Sequence, residues 1–212
     1  MLEILHFLIT QRFKGFAVSD DPYFGSGSTA FFMSLMRTCH RYLEYGSGGS
    51  TVAAARLNKP FISVDTDRFF LESVKKKIGK LSSAQHLVYA NIGLTGPWGI
   101  PLHAKHPSSS RLKKWRAYSS MPWKLATHGN MPDLVLVDGR FRVASALTAF
   151  ANLAGLSDAR VLVDDYTNRP HYHVMEKHAK LIRTVEYMAV FQPPSGGGNL
   201  WEAADQYATD WR

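Results

Sequence analysis

The sequence has almost no cysteine and no long apolar run, and both absences narrow the class of protein. Cys39 is the single cysteine, so a disulfide framework and a zinc site built from cysteines are excluded. No apolar run approaches the roughly 20 residues that a bilayer-spanning helix needs. Residues 1–10 are apolar, but they lack the basic leading region and cleavage site of a signal peptide, so we expect an amphipathic docking helix there. These features predict a soluble, cytoplasmic protein.

The composition indicates one ordinary globular domain. The chain has 212 residues, 45% of them hydrophobic and 12% aromatic, which excludes a disordered or fibrous protein. We expect a single domain over residues 1–212, with a leading helical or extended segment over residues 1–38. The net charge of +8 concerns solubility and binding partners rather than the fold.

Short apolar runs alternate with helical patterns along most of the chain. The runs fall at residues 41–45, 61–65, 85–90, 133–138 and 160–164, and the helical patterns at residues 50–57, 68–78, 143–153 and 171–180. This alternation is typical of βαβ units, because parallel strands need a crossover connection. Continuously apolar strands further indicate a sheet covered by helices on both faces. We therefore predict an α/β fold with a Rossmann-like, doubly wound, mostly parallel sheet.

The end of the chain departs from this alternation. Two strand-like runs, residues 184–191 and 199–203, are separated by the proline- and glycine-rich residues 192–198. The connection is too short to hold a helix, so we expect these two runs to form a C-terminal antiparallel hairpin.

Acidic or amide side chains stand at the carboxyl ends of the predicted strands, where ligands bind in an open α/β sheet. They are Glu44, Asp65, Asn91, Asp138 and the pair Asp164 and Asp165. A glycine-rich turn at residues 46–49 (the glycine turn) follows the first strand and precedes a helix with free N–H groups. Position 51 is Thr, so the third glycine of the G-x-G-x-x-G dinucleotide fingerprint is missing.

The segment Glu44-x-Gly46-x-Gly48, followed by Asp65, resembles class I S-adenosylmethionine (SAM) dependent methyltransferases. The resemblance spans roughly residues 41–203 and is closest to a bacterial methyltransferase-like subgroup with "EYGSGGST", "VDGRFR" and "DDY" segments. It implies that SAM is the cofactor and that Asn91 lies near its adenine. It also implies that the cofactor contacts are Glu44, Gly46, Ser47, Gly48, Gly49 and Asp65.

Asp65 and Asp67 compete for the role of the carboxylate that binds the ribose hydroxyls. We favour Asp65 because it ends the predicted strand, whereas Asp67 stands where the following helix needs an N-cap.

The candidate catalytic residues are Asp138, Arg140 and Asp165, which follow the fourth and fifth predicted strands. Acidic residues at these two strand ends hold a divalent cation in metal-dependent O-methyltransferases, and Asp138 and Asp165 offer the hard oxygen ligands that suit Mg²⁺. Arg140 stands close to Asp138 in the sequence, and its guanidinium would satisfy that carboxylate without a metal. We favour a metal-free acid–base or orienting role over a metal site, and a purely structural pair is the third alternative.

Residues 92–131 (the insertion) exceed what a minimal βαβ connection needs. The insertion contains no Asp or Glu, three of the five tryptophans, and six basic residues: Lys105, Arg111, Lys113, Lys114, Arg116 and Lys124. Its position between two strands predicts a lid over the ligand crevice that favours an anionic acceptor. Basic residues interleaved with aromatic ones are also typical of proteins that bind single-stranded nucleic acid. A solvated basic face over buried tryptophans is the third interpretation.

The sequence therefore predicts a SAM-dependent methyltransferase that transfers the methyl group to an oxygen of a small or medium acceptor, with anionic acceptors favoured by the insertion. One alternative is an NAD(P)-dependent oxidoreductase, which shares the strand–glycine–strand–acid spacing. Another is a non-catalytic SAM-fold module that binds RNA or a protein partner through the insertion.

Overall fold

The computed structural model describes residues 6, 7, 9–102, 104–127 and 129–212. Its centre is a sheet of seven strands in the order β3-β2-β1-β4-β5-β7-β6. The strands are β1 (Tyr42–Tyr45), β2 (Phe61–Asp65), β3 (Gln85–Tyr89), β4 (Leu134–Val137), β5 (Arg160–Val163), β6 (Lys180–Val185) and β7 (Met188–Gln192). Strands β1 to β5 are parallel, whereas β7 is antiparallel to both β5 and β6. The predicted fold class is confirmed.

α-Helices cover the two faces of the sheet, and six of them have defined bounds in the described part of the chain. They are α1 (Ser26–Thr38), α2 (Gly49–Arg56), α3 (Arg68–Ile78), α4 (Ser109–Tyr118), α5 (Arg142–Asn152) and α6 (Leu200–Tyr207). Buried residues of α1 and α2 belong to one apolar core and those of α4, α5 and α6 to another, so the sheet separates two cores. No helix in the described part of the chain combines the length and apolarity needed to cross a bilayer.

The order of the strands places a crevice at the carboxyl ends of β1 and β4. From β1 the chain continues to β2 and β3 on one side, and from β4 it continues to β5 on the other. The connections therefore diverge between these two neighbours, which is the topological switch point where open α/β sheets bind ligands.

The C-terminal antiparallel pair is present, but its strands are not those predicted. The chain reverses at Glu186 and Tyr187, inside the run predicted as one strand. Glu186 has a left-handed φ of 51°, and its carboxylate accepts hydrogen bonds from the first amides of α1, which fixes the reversal at this position. The second predicted strand lies within α6, because Leu200, Ala203 and Ala204 recur at helical spacing and are buried.

One predicted helix is replaced by a tighter structure. The sequence predicts a helix over residues 171–180. The structure has a 3₁₀ segment there, Pro170–Lys177, and β6 begins at Lys180. The short 3₁₀ segment buries Tyr172 and Met175 against the core that contains α5.

The insertion contributes aromatic side chains to the core. Its buried aromatic side chains are Trp115, Tyr118 and Trp123. Ser108 is the N-cap of α4, and its hydroxyl accepts from the amide of Arg111. The polar atoms of the two tryptophans have partners: Trp115 Nε1 donates to Ile92 O at 2.9 Å and Trp123 Nε1 donates to Tyr45 Oη at 2.7 Å. Trp123 therefore fastens the insertion to β1, and Trp115 ties α4 to the first residue of the insertion.

Replacing Trp115 by Ala is expected to lower the free energy of unfolding by about 3–5 kcal/mol, because the change leaves a cavity in the core. The Ile92 carbonyl would also lose its donor. The matched control is Trp201→Ala on α6, where the side chain is 54% exposed and a loss below about 1 kcal/mol is expected. Urea denaturation followed by circular dichroism measures both. Equal losses for the two variants would contradict the packing described for the insertion.

Candidate functional site

The glycine turn lies directly against the chain that follows β4. Gly46 has a φ of +93°, and its amide donates to Val64 O at 2.8 Å. A Cβ added to Gly46 would lie 2.9 Å from the carbonyl carbon of Asp138. The left-handed φ and this close approach both require glycine, so the turn marks the floor of the crevice.

Asp65, at the end of β2, contacts the glycine turn through hydrogen bonds. Its Oδ2 accepts from the Ser47 amide at 3.0 Å, and its Oδ1 accepts from the Asp67 amide at 2.8 Å. The Asp67 side chain is used differently, since it caps α3 by accepting from Phe69 N and Phe70 N. The structure thus brings Asp65 and Ser47 together at the crevice and uses Asp67 as the N-cap.

The environment of Asp65 makes its carboxylate unusually basic. Burial raises its pKa to about 7, and the hydrogen bonds from the amides of Asp67 and Ser47 only partly offset that effect. Each carboxylate oxygen accepts one backbone N–H, which leaves acceptor capacity for a ligand.

Glu44 does not present its carboxylate at the surface of the crevice. The residue has no exposed surface, and its carboxylate accepts from Tyr42 Oη at 2.7 Å, from Ser50 Oγ at 2.5 Å and from Thr51 Oγ1. Burial raises the pKa of this carboxyl group, and the three hydroxyls oppose the rise. Glu44 therefore ties β1 to the first turn of α2, which differs from the direct ligand contact that the resemblance implied.

The two remaining glycines of the turn have different surroundings. Around Gly48, an added Cβ would meet no atom within 4 Å, so that side of the turn is open. At Gly49, an added Cβ would lie 1.9 Å from the carbonyl oxygen of Asp21. The N-terminal part of the chain therefore crosses the start of α2.

Residues 10–22 (the N-terminal strap) are anchored to α2 and α3 by polar contacts. Arg56 pairs with Asp21 at 2.7 Å and Lys77 pairs with Asp20 at 2.8 Å, while Gln11 Nε2 donates to Asp67 Oδ2 at 2.6 Å. This wall of the site is not predicted from the sequence. The adjacent Asp20 and Asp21 before Pro22 are the only signal of it in the sequence, but their partners are distant along the chain.

Asn91 lies at the rim of the crevice, two residues beyond the end of β3. Its side chain is exposed, and Oδ1 accepts from the amide of Gly93 at 3.0 Å. The carbonyl oxygen is therefore engaged in a local turn, while the amide nitrogen faces outward as a free donor within the described part of the chain.

Arg142 joins the ends of β4 and β5. Its side chain is 3% exposed, and its guanidinium donates to Asp138 Oδ1 at 2.9 Å and to Asp165 Oδ2 at 3.0 Å. It also donates to the main-chain oxygens of Asp138, Gly139 and Asp164. The arginine that satisfies Asp138 is therefore Arg142 and not Arg140, because the first turn of α5 directs residue 142 back toward the strand end.

Asp138, Asp164 and Asp165 form a carboxylate cluster beside the crevice. One carboxylate oxygen from each lies within 4.8 Å of the other two. Burial raises the pKa of Asp138, whereas Arg142 lowers it. Burial, with Asp138 and Asp165 nearby, raises the pKa of Asp164 to about 7. A proton or an arginine must therefore relieve the repulsion within the cluster.

One turn of the insertion, Pro97–Gly99, lies over the crevice. A Cβ added to Gly99 would lie 2.8 Å from Thr66 Oγ1 and 3.7 Å from Arg140 Cγ, so this turn contacts chain segments that follow β2 and β4. Trp98 has a left-handed φ of 60° and is 81% exposed. The insertion thus combines buried aromatic side chains with an exposed turn at the site.

Comparison with known proteins gives the same fold. The structure is similar to the crystal structure of a methyltransferase-like protein from Silicibacter pomeroyi DSS-3, with a TM-score of 0.72 and 28% sequence identity. The similarity covers 92% of this chain and 100% of that chain. No family model and no curated protein matches the sequence. The chain therefore has a methyltransferase-like, Rossmann-like α/β fold.

The raised pKa of Asp65 predicts a pH-dependent stability. Between the ordinary value of 3.8 and about 7 the folded protein retains a proton that the unfolded chain has released, so stability falls as pH rises through this range. Asp65→Asn removes this titrating carboxyl group, and with it the fall of stability that the group causes. The variant should therefore gain stability relative to the wild type between pH 4 and pH 7, as measured by urea denaturation at each pH.

Asp158→Asn is the control, because Asp158 is exposed at the opposite edge of the sheet, before β5. The difference in free energy of unfolding between Asp158→Asn and the wild type should stay constant over the same pH range. A constant difference for Asp65→Asn would contradict the environment described for this carboxylate.

Proposed function

We propose that the protein is a SAM-dependent methyltransferase that methylates an oxygen of a small or medium acceptor. The observation that carries the proposal is the hydrogen bond between Ser47 N and Asp65 Oδ2, which joins the glycine turn and the β2 carboxylate at the switch point. The similarity to a methyltransferase-like protein over 92% of the chain supports the same assignment.

The hydrogen-bonding groups and the free space of the crevice suit SAM better than a dinucleotide. A ribose presents two hydroxyl donors, and Asp65 retains acceptor capacity for them. The open side of Gly48 leaves the backbone accessible to a ligand at the start of α2. A dinucleotide would instead place a pyrophosphate at this helix, where the Asp21 carbonyl oxygen already lies against Gly49.

SAM supplies an electrophilic methyl group, so the protein has to align the acceptor, exclude water and remove a hydroxyl proton. We assign proton removal to Asp164. Its pKa of about 7 suits a general base at neutral pH, and its side chain is free of arginine hydrogen bonds in the described part of the chain. Asp138 and Asp165 are fixed by Arg142 and position the cluster.

Arg142 also favours a metal-free reaction. Its guanidinium occupies one oxygen of Asp138 and one of Asp165, and Arg169 donates to the same Asp165 oxygen at 2.8 Å. A divalent cation at the cluster would face both of these positive charges at close range. The charge of the carboxylates is therefore compensated by side chains of the protein.

Asp65→Asn is expected to weaken SAM binding by about 1.5–3 kcal/mol, because the variant replaces one carboxylate oxygen by an amide NH2 group, which cannot accept from a ribose hydroxyl. This corresponds to roughly a tenfold to hundredfold rise in Kd. Isothermal titration calorimetry with SAM measures the change, and Asp158→Asn should bind as the wild type does. Unchanged affinity in Asp65→Asn, or tighter binding of NADH than of SAM by the wild type, would overturn the proposal.

Asp164→Asn is expected to lower the methyl-transfer rate about a hundredfold, which is typical for loss of a general base. The assay follows transfer of labelled methyl from SAM to the low-molecular-weight fraction of a cell extract. SAM affinity should stay at the wild-type value in this variant, since Asp164 acts on the acceptor.

The same assay is expected to be insensitive to EDTA. Inactivation by EDTA followed by recovery with Mg²⁺ would assign the carboxylate cluster to a metal. Transfer at the wild-type rate by Asp164→Asn would assign the base elsewhere.

A further inference from the structure

Arg140 is a cation without a counter-ion at the side of the crevice. Its Nε atom is buried and has no hydrogen-bond partner among the described residues, and the guanidinium forms no ion pair with any of them. The neighbouring Arg142 differs, because its guanidinium is fully engaged by the strand ends. A partly buried and unpaired guanidinium is costly, so its surroundings favour an added anion.

The electrostatic surroundings of Arg140 also favour an added anion. Burial lowers the pKa of Arg140, and the charges of Arg142 and Arg169 lower it further. Asp138 is also near Arg140, but its carboxylate is already bound by Arg142. Asp138 and Asp165 are thus engaged by Arg142 and Arg169, and neither forms an ion pair with Arg140 among the described residues.

Tyr118 supplies a second unpartnered polar atom at this place. The side chain is 1% exposed, and its hydroxyl makes no hydrogen bond of good geometry in the described part of the chain, where the Arg140 amide is the polar group beside it. A Cβ added to Gly139 would lie 2.5 Å from this hydroxyl, so the tyrosine reaches the backbone next to Arg140. A buried hydroxyl without a partner costs free energy that a ligand oxygen would recover.

Both groups lie on the β4 side of the crevice, across from Asp65. The Pro97–Gly99 turn approaches Arg140 Cγ and closes this side from above. The carboxylate cluster begins at Asp138, two residues before Arg140. An anion held between Tyr118 and Arg140 would therefore lie beside the chain that follows β4, next to the glycine turn.

We propose that Arg140 and Tyr118 form a subsite for the carboxylate or phosphate group of an acidic methyl acceptor. The guanidinium supplies charge and directional N–H donors, and the tyrosine hydroxyl supplies one further donor. The assignment of this anion to the acceptor rests on the proposed methyl transfer, whereas the anion site itself does not. The subsite defines the substrate class as small organic acids or phosphate esters that carry a hydroxyl group.

The anion site is tested on the cofactor-free full chain by NMR of arginine Nε–H signals, with inorganic phosphate and acetate as separate probes at constant ionic strength. Arg140→Lys identifies the Arg140 signal. Each effective probe should shift this signal saturably. Tyr118→Phe should raise the Kd of that probe severalfold while leaving thermal stability unchanged or higher, because it removes an unpartnered buried hydroxyl.

The control is Arg37→Gln, at an exposed arginine in the last turn of α1, which should titrate as the wild type does. Tighter binding of phosphate than of acetate would identify a phosphorylated acceptor, and the reverse order a carboxylic acid. An Arg140 signal that neither probe shifts, or that drifts linearly with the exposed arginines, would overturn the proposal.

Binding experiments with S-adenosylhomocysteine, the demethylated cofactor, distinguish an acceptor subsite from a cofactor contact. Simultaneous binding of this compound and phosphate supports an acceptor subsite, whereas competition would assign Arg140 to the cofactor's own carboxylate and overturn the proposal. If the anion binds through Arg140 but SAM does not bind, the anion site stands and the methyltransferase assignment fails. If SAM binds and neither anion does, the methyltransferase assignment stands and the subsite fails.

Discussion

The contact between two backbone turns, at Gly46 and Gly139, is the constraint on which the crevice depends. A Cβ on Gly139 would lie 3.0 Å from the Gly46 amide nitrogen, and one on Gly46 would lie 2.9 Å from the Asp138 carbonyl carbon. Neither position has room for a side chain, so the floor of the crevice is made of peptide groups. The polar side chains are consequently displaced to its two walls, with Asp65 on one and the carboxylate cluster on the other.

Local patterns in the sequence predict the parallel half of the fold and one wall of the crevice. The continuously apolar runs of β4 and β5 identify buried strands, and the alternation with helices identifies the crossovers. Asp67 is the N-cap that its position immediately before a helix predicts, whereas Asp65 ends β2 and contacts the glycine turn. These features depend on short-range geometry, which the sequence encodes directly.

The features that the sequence does not reveal depend on tertiary packing. Residues 199–203 have strand-like composition, yet Leu200, Ala203 and Ala204 become one face of a helix because α5 is there to bury it. Arg140 and Arg142 are the same residue type two positions apart, and only the path of the chain into α5 decides which of them reaches Asp138. Tyr118 likewise obtains its surroundings from residues far along the chain, such as Gly139.

The anchoring of the insertion by Trp115 and Trp123 determines how the crevice is able to open. Because the Trp115 indole is bonded to Ile92 and the Trp123 indole to Tyr45 of β1, moving α4 and the residues after it would break buried hydrogen bonds. The segment between Thr95 and Pro101 is held by one isolated β-bridge, and glycines at positions 93, 96 and 99 flank or interrupt it. Of the three tryptophans of the insertion, Trp98 alone is exposed, so it is the indole whose surroundings would change if a ligand bound beside this turn.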